Sequence, residues 1–236
     1  MGWLKVDNAI AVKNAAITAA AVRFSVAYLG KDPQLRQQAL RLYVEGLGFR
    51  AIGRLLQVSN VTVLKWVRPA GQQLENRLAE SAEQPRSIPV VEIDERSAAA
   101  VTHLHWTKKN AYWVWMAVPG TVERAGHQIL EVVAGGRDTS AGQLLWSLLV
   151  HHRIQAVKTD YYPVYPLVIP DALLEQSKKQ TYTVEGYNSL LRHYLARLKR
   201  GAAPRKTKCY SKCLEMLFLS LLLVVERINS SLSIQS

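Results

Sequence analysis

From Pro89 onward the apolar residues change period in a fixed order, and that order constrains the fold more than any other feature of the chain. Val90-Val91-Glu92-Ile93-Asp94 is a β-rich run after a proline, and Tyr112 to Val118 is a second, dense in Trp, Tyr and Val. Gln128 to Ala134 is a third, closed by Gly135-Gly136. Ser140 to His151 then carries Leu144, Leu145, Leu148 and Leu149 at helical spacing. Ile154 to Thr159 returns to strand and ends at Asp160, and Leu190, Leu191, Tyr194, Leu195 and Leu198 form a helical stripe between Glu185 and Lys199. A last helix carries Leu214, Leu217 and Leu221. Three antiparallel strands, a crossover helix and a further strand predict an α/β domain, a mixed sheet covered by helices. The stretch from Arg96 to Trp106 reads as irregular.

The acids fall at telling places in that order. Asp94 lies near the end of the first strand, and Asp160 closes the strand after the crossover helix. If those strands are neighbours, the two carboxylates sit side by side. Glu185 opens the next helix, Asn188 lies one turn further on, and Arg192 lies two turns along nearly the same face. Three carboxylates near one point repel unless a cation neutralises them. Oxygen ligands without a Cys or His set suit Mg²⁺ or Mn²⁺. Two such ions ~4 Å apart can activate a hydroxyl and stabilise the leaving oxygen of a phosphodiester. Taken singly, an Asp at a strand end is more often a turn or cap residue, and a Glu at a helix start a helix-dipole residue, than a ligand; their joint placement is what favours a site. Between Lys178 and Lys212 stand ten Lys or Arg and one acid, Glu185, which favours a ligand in a basic channel.

Upstream, Pro33 can open a helix carrying Leu35, Ala39, Leu42 and Tyr43, broken at Gly46-Leu47-Gly48. Ala51, Ile52, Leu55 and Leu56 give a second short face, Gln57-Val58 turns the chain, and Ser59 is a good N-cap. In the third helix Val61, Leu64 and Val67 are expected inward, and Asn60, Thr62, Lys65 and Arg68 outward. This is the pattern of a helix-turn-helix, which places its last helix in the major groove; an ordinary three-helix packing unit is the alternative. Arg36, Arg41, Arg50, Arg54, Lys65 and Arg68 are candidates for phosphates, and the outward polar residues for base edges. Downstream, Arg197, Arg200, Arg205, Lys206 and Lys208 extend the candidate DNA contacts.

The net charge of +12, from 30 Lys and Arg against 18 Asp and Glu, fits a polyanion partner. Only Cys209 and Cys213 are present, too few for a disulfide scaffold, which fits a reducing cytoplasm. No run reaches the ~20 apolar residues of a membrane span. The expected division is a poorly patterned segment at 1–31, a DNA-binding unit at 32–74, a polar linker at 75–88 and the larger domain at 89–236.

Val91 to Glu95, Thr159 to Tyr165, Ser177 to Leu198 and Arg205 to Lys212 resemble transposases of the insertion-sequence-one family, over roughly residues 32–225. The resemblance implies a ribonuclease-H-like catalytic domain with an Asp-Asp-Glu triad, matched by motif to Asp94, Asp160 and Glu185, with Arg192 as the basic residue after the Glu. It implies metal-dependent nicking at the element's ends, attack of the freed 3′-hydroxyl on target DNA, and recognition of terminal inverted repeats by the helix-turn-helix. Two Mg²⁺ or Mn²⁺ ions, double-stranded DNA partners, a homo-oligomer in the synaptic complex and a bacterial, nucleoid-associated cytoplasmic setting follow as expectations. A catalytically inactive or repurposed DNA-binding descendant is the alternative.

Overall fold

The computed structural model describes residues 4–6, 9–11, 32–80, 85–97, 112–120, 128–177, 181–195 and 214–233. In chain order the elements are β1 (Leu4–Val6), β2 (Ala9–Ala11), α1 (Pro33–Val44), α2 (Phe49–Leu55), α3 (Asn60–Glu80), β3 (Ser87–Ser97), β4 (Trp113–Pro119), β5 (Glu131–Gly135), α4 (Thr139–Leu149), β6 (Arg153–Thr159), α5 (Tyr165–Val168), β7 (Leu174–Gln176), α6 (Tyr182–Tyr194) and α7 (Leu214–Ser233).

The described strands form one sheet in the order β1-β2-β5-β4-β3-β6-β7. β3 lies antiparallel to β4 and parallel to β6, so β3 to β7 make a five-strand mixed sheet. β1 and β2 add an antiparallel hairpin against β5, within the segment expected to be poorly patterned. β3 continues in register past Asp94, with Arg96 opposite Val114 and Ser97 opposite Trp113. The irregular stretch expected from Arg96 is therefore strand at its first two residues. Residues 98–111 lie outside the described residues.

Strand alternation divides the core in two. Val114, Met116 and Val118 of β4 face α6 and α7, packing with Val184, Tyr187, Leu191, Phe218 and Leu221. Trp115 and Ala117 face the other way, onto Leu144, Leu145 and Leu148 of α4 and Tyr165 of α5. Each such side chain contributes roughly 1.5–3 kcal/mol when fully buried. α7 is buried almost all round from Met216 to Val225, because it lies between the sheet and α1 to α3. Asn229 fastens it to the strand side, accepting from Ile129 N at 2.9 Å and donating to Ile129 O at 3.2 Å.

The three upstream helices have readable boundaries. Asp32 caps α1, its side chain accepting from Gln34 N at 2.9 Å, and Pro33 opens the helix. Gln57, at φ 53, turns the chain between α2 and α3. Ser59 Oγ accepts from Thr62 N at 2.9 Å and caps α3. α3 then runs unbroken through Pro69 to Glu80, so residues 75–80 are helix where the sequence suggests a linker. Its buried stripe is Val63, Trp66, Val67, Ala70, Leu74 and Leu78. Val61, expected inward, is 52% exposed. Steps of three residues drift around a helix of about 3.6 residues per turn, whereas the observed stripe mixes threes and fours. The second half of α3 packs on α7, and α1 to α3 share one core with β4, β5, α6 and α7.

Candidate functional site

Asp94 stands within β3, opposite Met116. The β3–β6 register pairs Val91 with Val157 and Glu92 with Lys158. The same offset carries Asp94 onto Asp160, just past the end of β6. Asp94, within β3, and Asp160, just past the end of β6, are thus level on parallel neighbours. Burial pushes the Asp94 carboxyl up to about 6, and the charges of Glu95 and Asp160 push the same way. Arg96 opposes them, its Nε 3.8 Å from Asp94 Oδ2. Asp160 is pinned locally. Its Oδ1 accepts from Tyr162 N at 2.9 Å, and its carbonyl accepts from Gln176 Nε2 of β7 at 2.9 Å.

α6 crosses this face of β3 and β4. Asn188, 2% exposed, donates from Nδ2 to Asp94 Oδ2 at 2.7 Å. Glu185 lies one turn before Asn188 and Arg192 one turn after, and both are exposed. Among the described residues no three His, Cys, Asp or Glu side chains stand close enough together to hold a metal ion. Asp94 and Asp160 are level on neighbouring parallel strands, and Glu185 stands on α6 one turn before the Asn188 that bonds Asp94.

Several residues around this pair escape a reading by motif alone. Glu92 shares the α6 face of β3 with Asp94, two positions away; it is 1% exposed and its Oε2 accepts from Val184 N at 2.9 Å. The period of two along the strand is the signal that could have singled it out. On the opposite face Glu95 Oε1 accepts from Arg137 Nε at 3.1 Å and Nη2 at 2.7 Å, and Tyr165 donates its hydroxyl to Glu95 Oε2. Burial, reinforced by Glu95, pushes the Tyr165 hydroxyl well up, so it stays a donor. The Arg137 guanidinium lies over the rings of Trp113 at 4.4 Å and Tyr162 at 4.0 Å. That network locks the outer half of β3 and the turn after Asp160 to the start of α4.

On the helical unit Arg50, Arg54, Asn60, Lys65 and Arg68 are exposed. Thr62 is half-buried, its hydroxyl 2.8 Å from Ser59 Oγ in the α3 cap. Arg36 is buried, against the expectation that it meets phosphates. Leu55 and Val61 are turned outward among these cations, at 62% and 52% exposure. Arg197, Arg200, Arg205, Lys206 and Lys208, together with Cys209 and Cys213, lie outside the described residues. Among the described residues no helix is long and apolar enough to cross a membrane.

A five-strand mixed sheet, helices on both faces and two acids level on its central parallel strands are consistent with the ribonuclease-H-like class of nucleic-acid enzymes. The family model for IS1 transposases matches residues 90–220, over half of the chain, and this protein belongs to that family. The matched span holds β4 to α6, most of β3 and the start of α7; α1 to α3 precede it. Transposases of the Asp-Asp-Glu type generally use divalent metal ions. A search of curated proteins returns no match.

Proposed function

We propose that this protein is a DNA transposase that binds the terminal inverted repeats of its insertion sequence and cuts and joins their ends with the help of divalent metal ions. The observation that carries this reading is the level placement of Asp94 and Asp160 on neighbouring parallel strands in a chain of the IS1 transposase family.

The donor set fits hard cations. Asp94 is a partly buried acid crowded by Glu95 and Asp160, with the Arg96 guanidinium at 3.8 Å as the counter-charge beside it. A cation of two charges relieves that crowding, and carboxylate oxygens suit Mg²⁺ or Mn²⁺. Asp94, Asp160 and Glu185 would hold two such ions, which when bound supply charge stabilisation at the attacking and leaving oxygens of the phosphodiester. Asn188 keeps Asp94 Oδ2 oriented toward α6. Arg192, exposed on the same helix as Glu185, is placed to hold a substrate phosphate.

The upstream unit supplies the address. The α2–α3 turn at Gln57, the Ser59 cap and the exposed first turns of α3 support a helix-turn-helix with Asn60 and Thr62 toward base edges. Arg50, Arg54, Lys65 and Arg68 flank that tip and bind phosphates. Arg197, Arg200, Arg205, Lys206 and Lys208 add cations after α6 for the same duplex. Bringing two element ends together requires at least two copies of the chain.

A DNA-binding protein without catalysis is the second reading, favoured by the absence of a three-acid cluster among the described residues. A cleavage and strand-transfer assay on the element's own end DNA, in Mg²⁺ and in Mn²⁺, separates the two. Metal-dependent joined product that Asp160→Ala abolishes is the result expected of a transposase. Specific binding of end DNA with no cleavage in either metal would establish the second reading, and cleavage without joining would mark a nuclease instead.

A further inference from the structure

We propose that Glu92 and Asn188 are positioning residues that clasp α6 to β3 and fix where Glu185 stands relative to Asp94; the inference rests on the reading of those two acids as the site. The first turn of any helix leaves amides without partners. Thr181, at the head of α6, offers no side-chain bond to them. Glu92 supplies it from the sheet, its Oε2 taking Val184 N at 2.9 Å. Among the described residues no Lys, Arg or His ion-pairs with Glu92, although the residue is 1% exposed. The positive end of the α6 dipole is the charge that compensates it. Gly120 makes the room: a Cβ there would stand 3.1 Å from Glu92 Cγ and 3.3 Å from its Oε1.

One turn further along α6, Asn188 donates to Asp94 Oδ2 at 2.7 Å. Consecutive same-face residues of β3 therefore grip consecutive turns of α6. Glu92 holds Val184, Asp94 holds Asn188, and Glu185 lies between the two rungs. Glu185 cannot shift along or away from β3 without breaking one of them. Glu92 is thus engaged with the helix rather than turned toward the site, its Oε2 committed to Val184 N.

The test uses the full-length protein, with Glu92→Ala, Glu92→Gln and Asn188→Ala beside the wild type. Two readouts are taken: hydrogen exchange of the amides from Val184 to Leu191, and cleavage of element-end DNA in Mn²⁺. Glu92→Ala is expected to speed α6 exchange roughly tenfold, as loss of a cap does. It is expected to cut cleavage about a hundredfold, as misplacement of a site residue does, with DNA binding in EDTA retained. Glu92→Gln, which keeps an acceptor, recovers most of both losses. Should Glu92→Ala not fold, Asn188→Ala carries the same exchange and cleavage test at the second rung.

Exchange that ignores both alanine variants would overturn the clasp. So would a Glu92→Gln protein as poor in cleavage as Glu92→Ala while its α6 exchanges like the wild type, since Glu92 would then act through its charge. A wild type that never cleaves removes the transposase reading, yet faster α6 exchange in Glu92→Ala would still establish the clasp.

Discussion

Glu75 offers a test of the α3–α7 interface that needs no DNA. The residue is buried in the second half of α3, and its Oε1 has no hydrogen-bond partner among the described residues. Burial, with the Glu215 charge of α7 adding to it, pushes this carboxyl from 4.5 up to about 7. The sign of the linkage follows. Below the unfolded value both states are protonated and the acid costs nothing. As pH rises the unfolded chain ionises first, so the folded state holds the extra proton and stability falls. Above the folded value the cost is complete. Each pH unit of that window is worth about 1.4 kcal/mol, which caps the cost at about 3 kcal/mol. For a chain of this size that is ~6–12 °C in melting temperature.

Glu75→Gln keeps the shape and removes the charge. It is expected to raise the melting temperature at about pH 8 by several degrees and to lose that advantage by about pH 4. Thermal melts of both proteins across that range provide the assay. A gain of equal size at both ends, or none at the alkaline end, would refute the reasoning, because either result means that ionisation of Glu75 is not what the interface resists.

Other perturbations have defined outcomes. Gly71→Ala puts a Cβ 2.7 Å from Leu219 Cβ where α3 crosses α7, and is expected to cost about 1–3 kcal/mol in urea unfolding. Asn229→Ala removes the side-chain hydrogen bonds at Ile129 N and Ile129 O and should lower stability by about 1–3 kcal/mol, read from the same urea midpoint. Lys65→Ala should weaken end-DNA binding on all sequences and reduce the log–log salt slope by about one; an unaltered slope would show that Lys65 meets no phosphate. The exposed Val61 has one apolar group to meet in a major groove, the thymine methyl. Deoxyuridine in place of thymidine at the site should therefore weaken the wild type and leave Val61→Ala indifferent, and equal losses in both proteins would place Val61 away from the bases.

The sheet was legible because its strands differ sharply in period from its helices. Tyr112 to Val118 and Ile154 to Thr159 coincide with observed strands to within a residue, Val90 to Asp94 is the middle of a strand that runs three residues further at each end, and the pairing of β3 with β6 places Asp94 level with Asp160. Strands of three residues are too short to show a period, which is why β1, β2 and β7 were not legible. The path of α3 beyond Leu74 was hidden because Glu75, Asn76, Arg77 and Glu80 are polar, and polar residues read as linker until α7 is seen against them. Asn188 could be placed on a helix face by spacing, but its partner could not. Glu92 was invisible as a cap because the amide it caps lies 92 positions away. Long-range hydrogen bonds of this kind leave no local pattern.

The length of α3 has a consequence for the DNA. Its first turns pack on α1 and α2 with one face exposed and its later turns are embedded against α7, so a single rod of about 30 Å joins the reading tip to the body that holds Asp94. Such a rod works as a ruler. On the proposed function it fixes how many base pairs separate the recognised sequence from the phosphate that is cut. DNA also turns as it advances, completing a turn in ~34 Å. An insertion of half a turn between the two would leave recognition intact and swing the phosphate to the far side of the duplex, out of reach of the carboxylates.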